Sequence, residues 1–270
     1  MSKIKEFYKT DGLDYKFRRW QKYPTGQFDF KCTQNAINKF LLKVNSNLTL
    51  EVGCGPGTWT NLIKKHSQNI IAVDISDTMI NEAKKNVNTP NIQFLNTDIS
   101  DYKPSQKFNL IFSIRAIEYF PDKEKFIKKC YDMLDENGKI FIITKTKVSY
   151  WYGRSKIRKV LKVIFPFLFY YENKETTNKQ IQNLSNFQQQ RISTTEFKNL
   201  LKNNGFINIE VKPVIIRPPI FMRGKTEIPI IPPFLEKLVL AILIPIDNLL
   251  SKSSLFTIFA ESFSITGTKK

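Results

Sequence analysis

Three sets of residues in this 270-residue chain have the type and spacing to do chemistry. The first is Glu51-Val52-Gly53-Cys54-Gly55-Pro56-Gly57-Thr58, an acid followed by glycines at alternate positions. With no Cβ in the way, such a turn lets the backbone approach a ligand closely, and its amides point outward. The second is Asp74, which ends the apolar run 70–73, and is followed by Ile75 and Met79. A carboxylate at such a tip can accept both hydroxyls of a ribose. The third is a pair of polar tips: Asp98, followed by Ile99, closes 91–97, and Ser113 closes 108–112.

Bringing these tips together requires a particular scaffold. Apolar runs at 48–52, 70–74, 92–95, 108–113 and 139–144 read as strands. Segments 57–67, 76–88 and 122–136 read as the helices between them, with Asn137-Gly138 as a helix stop. Ser193-Thr194-Thr195-Glu196 opens a further helix with a cap and an acid in its first turn. Asn204-Gly205 ends it before a sixth strand at 206–211, and a last strand spans about 255–266. Ala36, Ile37, Phe40, Leu41 and Val44 recur at helical spacing ahead of the first strand. The alternation implies an α/β fold with a doubly wound, mostly parallel sheet. In such sheets the ligand lies at the carboxyl ends of the strands, where the tips above fall.

Together these motifs resemble the class I S-adenosylmethionine-dependent methyltransferase family, of small-molecule or lipid type. The likeness covers about 45–145 and recurs at 190–212 and 254–268. It implies a seven-stranded Rossmann-like sheet whose last strand is antiparallel, with S-adenosyl-L-methionine as cofactor. A nicotinamide dinucleotide fits less well. The pattern is Gly-x-Gly-x-Gly, and Glu51 would repel a pyrophosphate at the turn. By resemblance, Gly53, Gly55 and Gly57 approach the methionine and ribose, and Glu51 orients the loop or meets the ammonium. Asp74 holds the ribose, Ile75 and Met79 flank the adenine, and Asp98 with the Ile99 amide reads its edge. Ser113 contacts the methionyl part.

The acceptor side follows strand four, in Arg115-Ala116-Ile117-Glu118-Tyr119-Phe120. Many small-molecule relatives carry Glu-His here, whereas this chain has Glu-Tyr. Tyr119 is therefore the candidate catalytic residue, with packing beneath a lid as its alternative role. Glu118 anchors the loop in this reading, and Arg115 binds an anionic acceptor or is exposed. The tip lacks the Asp/Asn-Pro-Pro-aromatic signature of exocyclic-amine enzymes. Cys130 lies within a helix pattern, away from the tip where cytosine C5 chemistry needs a nucleophile. The remaining class moves a methyl group to a hydroxyl or amine of a small, hydrophobic or lipid-linked acceptor. An RNA methyltransferase using the basic surface is one alternative. An inactive cofactor-binding subunit that docks a partner or membrane is another.

Composition bounds the rest. Net charge is +18, from 42 Lys and Arg against 24 Asp and Glu, which fits lysine-rich composition, nucleic acid or an anionic membrane surface. Three scattered cysteines argue against disulfides or a metal cluster, so no metal is expected. No secretory signal or spanning segment is read, and the expected location is cytoplasmic or peripheral on the inner face of a membrane. The chain divides into a helical cofactor cover (1–45), the cofactor-binding core (46–145) and an insertion or lid (146–192). The core then continues (193–212), followed by a proline-rich apolar insertion (213–253) and a final strand (254–270). The lid carries the basic stripe Arg154, Arg158 and Lys162, then the aromatic run 165–171. In the second insertion the apolar run 238–244 is broken by Pro245.

Overall fold

The computed structural model describes residues 15–147, 160, 163–164, 190–216 and 233–270. Seven strands form one sheet: β1 (Ser46–Val52), β2 (Ser67–Asp74), β3 (Ile92–Asn96), β4 (Phe108–Ile114), β5 (Leu134–Lys145), β6 (Phe206–Val214) and β7 (Ser262–Lys269). Their order is β3-β2-β1-β4-β5-β7-β6. Strands β1 to β5 pair in parallel, and β7 runs antiparallel to both β5 and β6. The fold class expected from the alternation is therefore present, with the last strand wedged between the fifth and sixth.

The sheet is apolar on both faces because helices cover both. Along β4, Leu110 and Phe112 point one way and Ile111 the other, as the two-residue strand period demands. Ile111 joins Leu50, Ile140 and Ile142 beneath helices α4 (Lys123–Met133) and α5 (Thr194–Asn203). Leu110 and Phe112 meet Phe28, Cys32 and Ile37 of α1 (Pro24–Leu41) on the opposite face. Helices begin where side chains satisfy their first amides. Ser76 caps α3 (Asp77–Asn86), Asp122 caps α4, and Ser193 with Glu196 forms a reciprocal capping box on α5.

Several boundaries differ from the sequence reading. The helix expected over 57–67 is only α2, Thr60–Ile63. Gly53, Gly55 and Gly57 all have positive φ, so the chain is still turning where the helix was expected. The helix before β5 stops at Met133, and Asn137-Gly138 lies inside the strand, at positive φ for Asn137 and beside a register shift. The last strand starts at Ser262, and a 3-10 helix, Ser254–Phe259, takes up the segment before it. The basic stripe 154–162 and the aromatic run 165–171 lie outside the described residues.

The apolar run 238–244 does not end at Pro245: it belongs to α6 (Pro233–Leu250), which continues through the proline. Tertiary anchors beyond the proline hold the last turns. The Asp247 carboxylate accepts from the Ile216 amide at 2.6 Å, and Lys39 Nζ donates to the Asn248 carbonyl at 2.9 Å. The helix buries Leu240 and packs Val239, Leu243 and Ile244 on the core, yet its other face is also apolar. Its acids Glu236 and Asp247 are buried, whereas Phe234, Leu238, Ile242 and Leu249 are 72, 59, 58 and 63% exposed. Among the described residues no helix is long and apolar enough to cross a membrane.

Replacing Asp247 with alanine strands the Ile216 amide and leaves Lys39 without its nearby carboxylate. Urea unfolding should show a loss of about 1–3 kcal/mol, the cost of an unsatisfied buried group. An unchanged midpoint would mean that α6 is held by its apolar contacts alone.

Candidate functional site

The tip of β2 organises the site. Asp74 Oδ2 accepts from the Gly55 amide at 2.8 Å, and Oδ1 accepts from the Ser76 amide at 2.9 Å. Its backbone carbonyl accepts from Thr97 N and Asn96 Nδ2, both at 3.0 Å. One residue thus fastens the glycine turn, the start of α3 and the tip of β3. Burial raises the Asp74 pKa, and the amides of Ser76, Gly55 and Ile75 oppose that rise. Each carboxylate oxygen retains accepting capacity after one amide bond, so a vicinal diol can still be bound.

The three glycines have different duties. A Cβ on Gly53 would stand 2.4 Å from the Ala116 Cβ, so this position lets the loop after β4 lie directly on the turn. A Cβ on Gly57 would press on Val87 and Ala83 at 3.0–3.4 Å, so this position packs against α3. A Cβ on Gly55 would meet nothing within 4 Å. Gly55 is the glycine that faces open space, and at φ +53° it presents backbone to whatever occupies that space.

That space is a cavity of about 970 Å³, its mouth included. Of the residues singled out in the sequence, Gly53, Gly55, Asp74, Ile75, Met79, Asp98, Ile99 and Tyr119 line it. Asp98 also caps its own turn, with Oδ1 accepting from the Ser100 amide at 2.8 Å. Glu51, Gly57 and Ser113 do not line the cavity. Glu51 is buried under the turn, where the Thr60 hydroxyl donates to its Oε2. Ser113 is fully buried and donates to the Val52 carbonyl at 3.0 Å, tying β4 to β1. The lining acids, the open glycine and the apolar walls fit an adenosyl group bearing an amino acid.

Two aromatics also line it: Trp20 falls in the N-terminal stretch that the sequence reading assigns to the cofactor cover, whereas Trp59 escaped that reading. Trp20 and Trp59 meet edge to face with centroids 5.5 Å apart, and Phe30 stacks behind Trp59. Trp59 lies just past the last glycine, and Trp20 lies in the aromatic N-terminal stretch. Neither position has a periodicity that separates wall from core.

The loop after β4 closes the far end. Arg115 has φ +61°, held by its amide donating to the Ile143 carbonyl at 2.8 Å. Tyr119 sits on a short 3-10 turn, Ile117–Tyr119. Glu118 is buried, and its Oε1 accepts from the Lys145 amide at 2.7 Å and the Thr144 hydroxyl at 3.3 Å. It anchors the loop to β5, the role expected for it as an alternative to chemistry.

Glu51 makes stability depend on pH. Burial, opposed by the Thr60 hydrogen bond and helped by the Asp74 charge, pushes its carboxyl up to about 8. Between the ordinary value of 4.5 and about 8, the folded chain holds a proton that the unfolded chain has released. Folding is then favoured by protons, so this contribution falls as pH rises through that window and levels off above it. Melting temperatures measured from pH 5 to 8 should decline less steeply in Glu51→Gln than in the wild type; parallel curves would rule this assignment out.

Comparison with known proteins agrees with this geometry. Residues 49–138 match a family model described as a methyltransferase domain. Malonyl-[acyl-carrier protein] O-methyltransferase 1 of Ilyobacter polytropus is 33% identical over 142 residues, which cover 50% of this chain and 53% of that protein. The ubiquinone biosynthesis O-methyltransferase of Coxiella burnetii is 33% identical over 98 residues, covering 35% of this chain and 42% of that protein. The chain thus spans about half the length of these curated relatives or less. The DhpI structure in complex with S-adenosylhomocysteine superposes with TM-score 0.59 at 13% identity, over 97% of this chain and 93% of that one, which is a likeness of fold. The glycine turn and the acids at 74 and 98 thus lie within the stretch that is similar to a methyltransferase domain, and the whole sheet shares its fold with a methyltransferase-type structure solved with S-adenosylhomocysteine.

Proposed function

We propose that this chain moves a methyl group from S-adenosylmethionine to a hydroxyl or amine of a small, hydrophobic or lipid-linked acceptor. The observation that carries the reading is convergence: Gly55, Asp74, Asp98 and the Arg115–Tyr119 loop line one cavity. Bound cofactor supplies a methyl group already activated by the sulfonium charge. The protein's task is then alignment and exclusion of water. Asp74 fixes the ribose, Asp98 and Ile99 bound the adenine end, and Met79 and Ile75 pack against the ring. Tyr119 stands at the acceptor end, where its hydroxyl can orient a nucleophile.

The apolar acceptor is supported by the walls of the cavity, which include Trp20, Trp59, Ile114 and Phe120. It is also supported by α6, whose buried acids and exposed Leu238, Ile242 and Leu249 suit a surface that rests on lipid. Net charge +18 suits an anionic lipid, which supports a peripheral position on a cytoplasmic membrane face. The O-methyltransferase relatives make ubiquinone precursors and malonyl-[acyl-carrier protein] sensible first acceptors to assay.

Turnover with labelled cofactor against lipid, small-molecule and RNA extracts tests the reading. Label should enter the lipid or small-molecule fraction; transfer to RNA alone would replace this reading with the nucleic-acid one. Asp74→Ala should weaken S-adenosylhomocysteine binding by about 1–3 kcal/mol in calorimetry, because both the ribose and the turn lose a partner. Equal affinity would remove Asp74 from the ribose. Tyr119→Phe should lower kcat and spare cofactor affinity, whereas an unaltered kcat would return Tyr119 to packing. Leu238→Glu with Ile242→Glu should abolish sedimentation with vesicles containing phosphatidylglycerol, and retained sedimentation would detach α6 from the membrane role.

A further inference from the structure

Arg115 is an unusual residue in this site. It is an arginine at φ +61°, a backbone region that side chains other than glycine, asparagine and aspartate seldom adopt. Its side chain is 11% exposed, and it lines the cavity. Its Nε and Nη1 atoms are buried and make no hydrogen bond. The nearest carboxylate oxygen, Glu118 Oε1, is 3.9 Å from Nη1, too far for a hydrogen bond. That oxygen is already engaged by the Lys145 amide and the Thr144 hydroxyl.

A second cation, Lys145, feels the Arg115 charge but stands outside the cavity lining. Lys145 ends β5, the strand hydrogen-bonded to β4, and among the described residues its ammonium has no hydrogen bond or ion pair. Burial lowers its pKa to about 8, with Arg19 and Arg115 lowering it and Glu118 and Glu261 opposing them. Burial likewise lowers the Arg115 pKa; Glu118, Glu261 and Asp29 oppose this, while Arg19 adds to it. A buried guanidinium with orphaned donors in a cavity wall is an arrangement that a bound anion would stabilise. A guanidinium matches the oxygens of a carboxylate or phosphate.

The position of the guanidinium says whose anion it is. Arg115 follows β4, and β1 separates β4 from β2, which ends in the ribose acid Asp74. An anion on Arg115 therefore lies away from the ribose side of the cavity. We infer that Arg115 forms a subsite for an oxyanion carried by the acceptor, a carboxylate or a phosphate monoester. This rests on the methyltransferase reading above and narrows its acceptor to a hydrophobic molecule with an anionic group.

Calorimetry on protein saturated with S-adenosylhomocysteine tests it, with octanoate, octyl phosphate and neutral octanol as probes. One or both anions should bind at least ten-fold more tightly than octanol, and a preference between them identifies the head group. Arg115→Gly, which suits the positive φ, should lose that ten-fold advantage and keep cofactor-product affinity within two-fold. Arg115→Asn tolerates the same backbone and should behave alike. Equal binding of anions and octanol, or anion binding that survives Arg115→Gly, would overturn the subsite. So would a fall of ten-fold or more in S-adenosylhomocysteine affinity in Arg115→Gly, which would assign the guanidinium to the cofactor's own carboxylate. S-adenosylhomocysteine is first titrated alone, so its failure to bind counts against the cofactor reading, whereas loss of the anion preference in protein that does bind it counts against the subsite.

Discussion

The Asp74 carboxylate, clamped between the amides of Gly55 and Ser76, is the interaction on which the site depends. A glycine turn has many conformations open to it, and three positive-φ residues at alternate positions would otherwise be costly to fix. Here the Gly53 and Cys54 amides also donate to the Val73 carbonyl, at 2.8 and 3.1 Å. The turn is thus bound to the end of β2 both through side chain and through backbone. Burial of the acid raises its pKa, and the amides that hold it lower it. The same atoms that would recognise a ribose also keep the turn in shape to receive it.

Beneath that clamp lies a second layer that never touches the cavity. Glu51 and Thr60 form a buried pair under the turn, and Ser113 ties β4 to the end of β1. Glu118 does the same between the acceptor loop and β5. These polar groups are buried because each fixes the height of one strand tip relative to its neighbour. Registration at this level decides whether the acids at 74 and 98 point into one space or two.

The sheet was readable from the sequence because its strands are short apolar runs whose burial leaves little choice of residue, as in β4. Asp74 and Asp98 were readable because each acid falls at or just past the end of such a run, where the chain leaves the sheet. Other features left no local signature. Glycines 53, 55 and 57 look alike in sequence, yet Ala116, open space and Val87 give them different roles. Ser113 reads as a strand tip facing the ligand, but a hydrogen bond across strands turns it inward. Pro245 reads as a helix stop until Asp247 and Lys39 are seen to hold the turns beyond it. Trp20 and Trp59 become a wall only when residues distant in sequence meet.

The seventh strand has a consequence for how the molecule is made. β7 occupies the place between β5 and β6, and β6 has no other neighbour in the sheet. While residues 262–269 are still inside the ribosome, the emerged β5 edge lies open and β6 has nothing to pair with. The core from β1 to β5 can assemble early from parallel neighbours, but completion waits on a strand that reaches back across more than a hundred residues. Translation therefore delivers a protein whose cofactor half can mature before its sheet is sealed, with an interval in which a chaperone has a defined edge to guard.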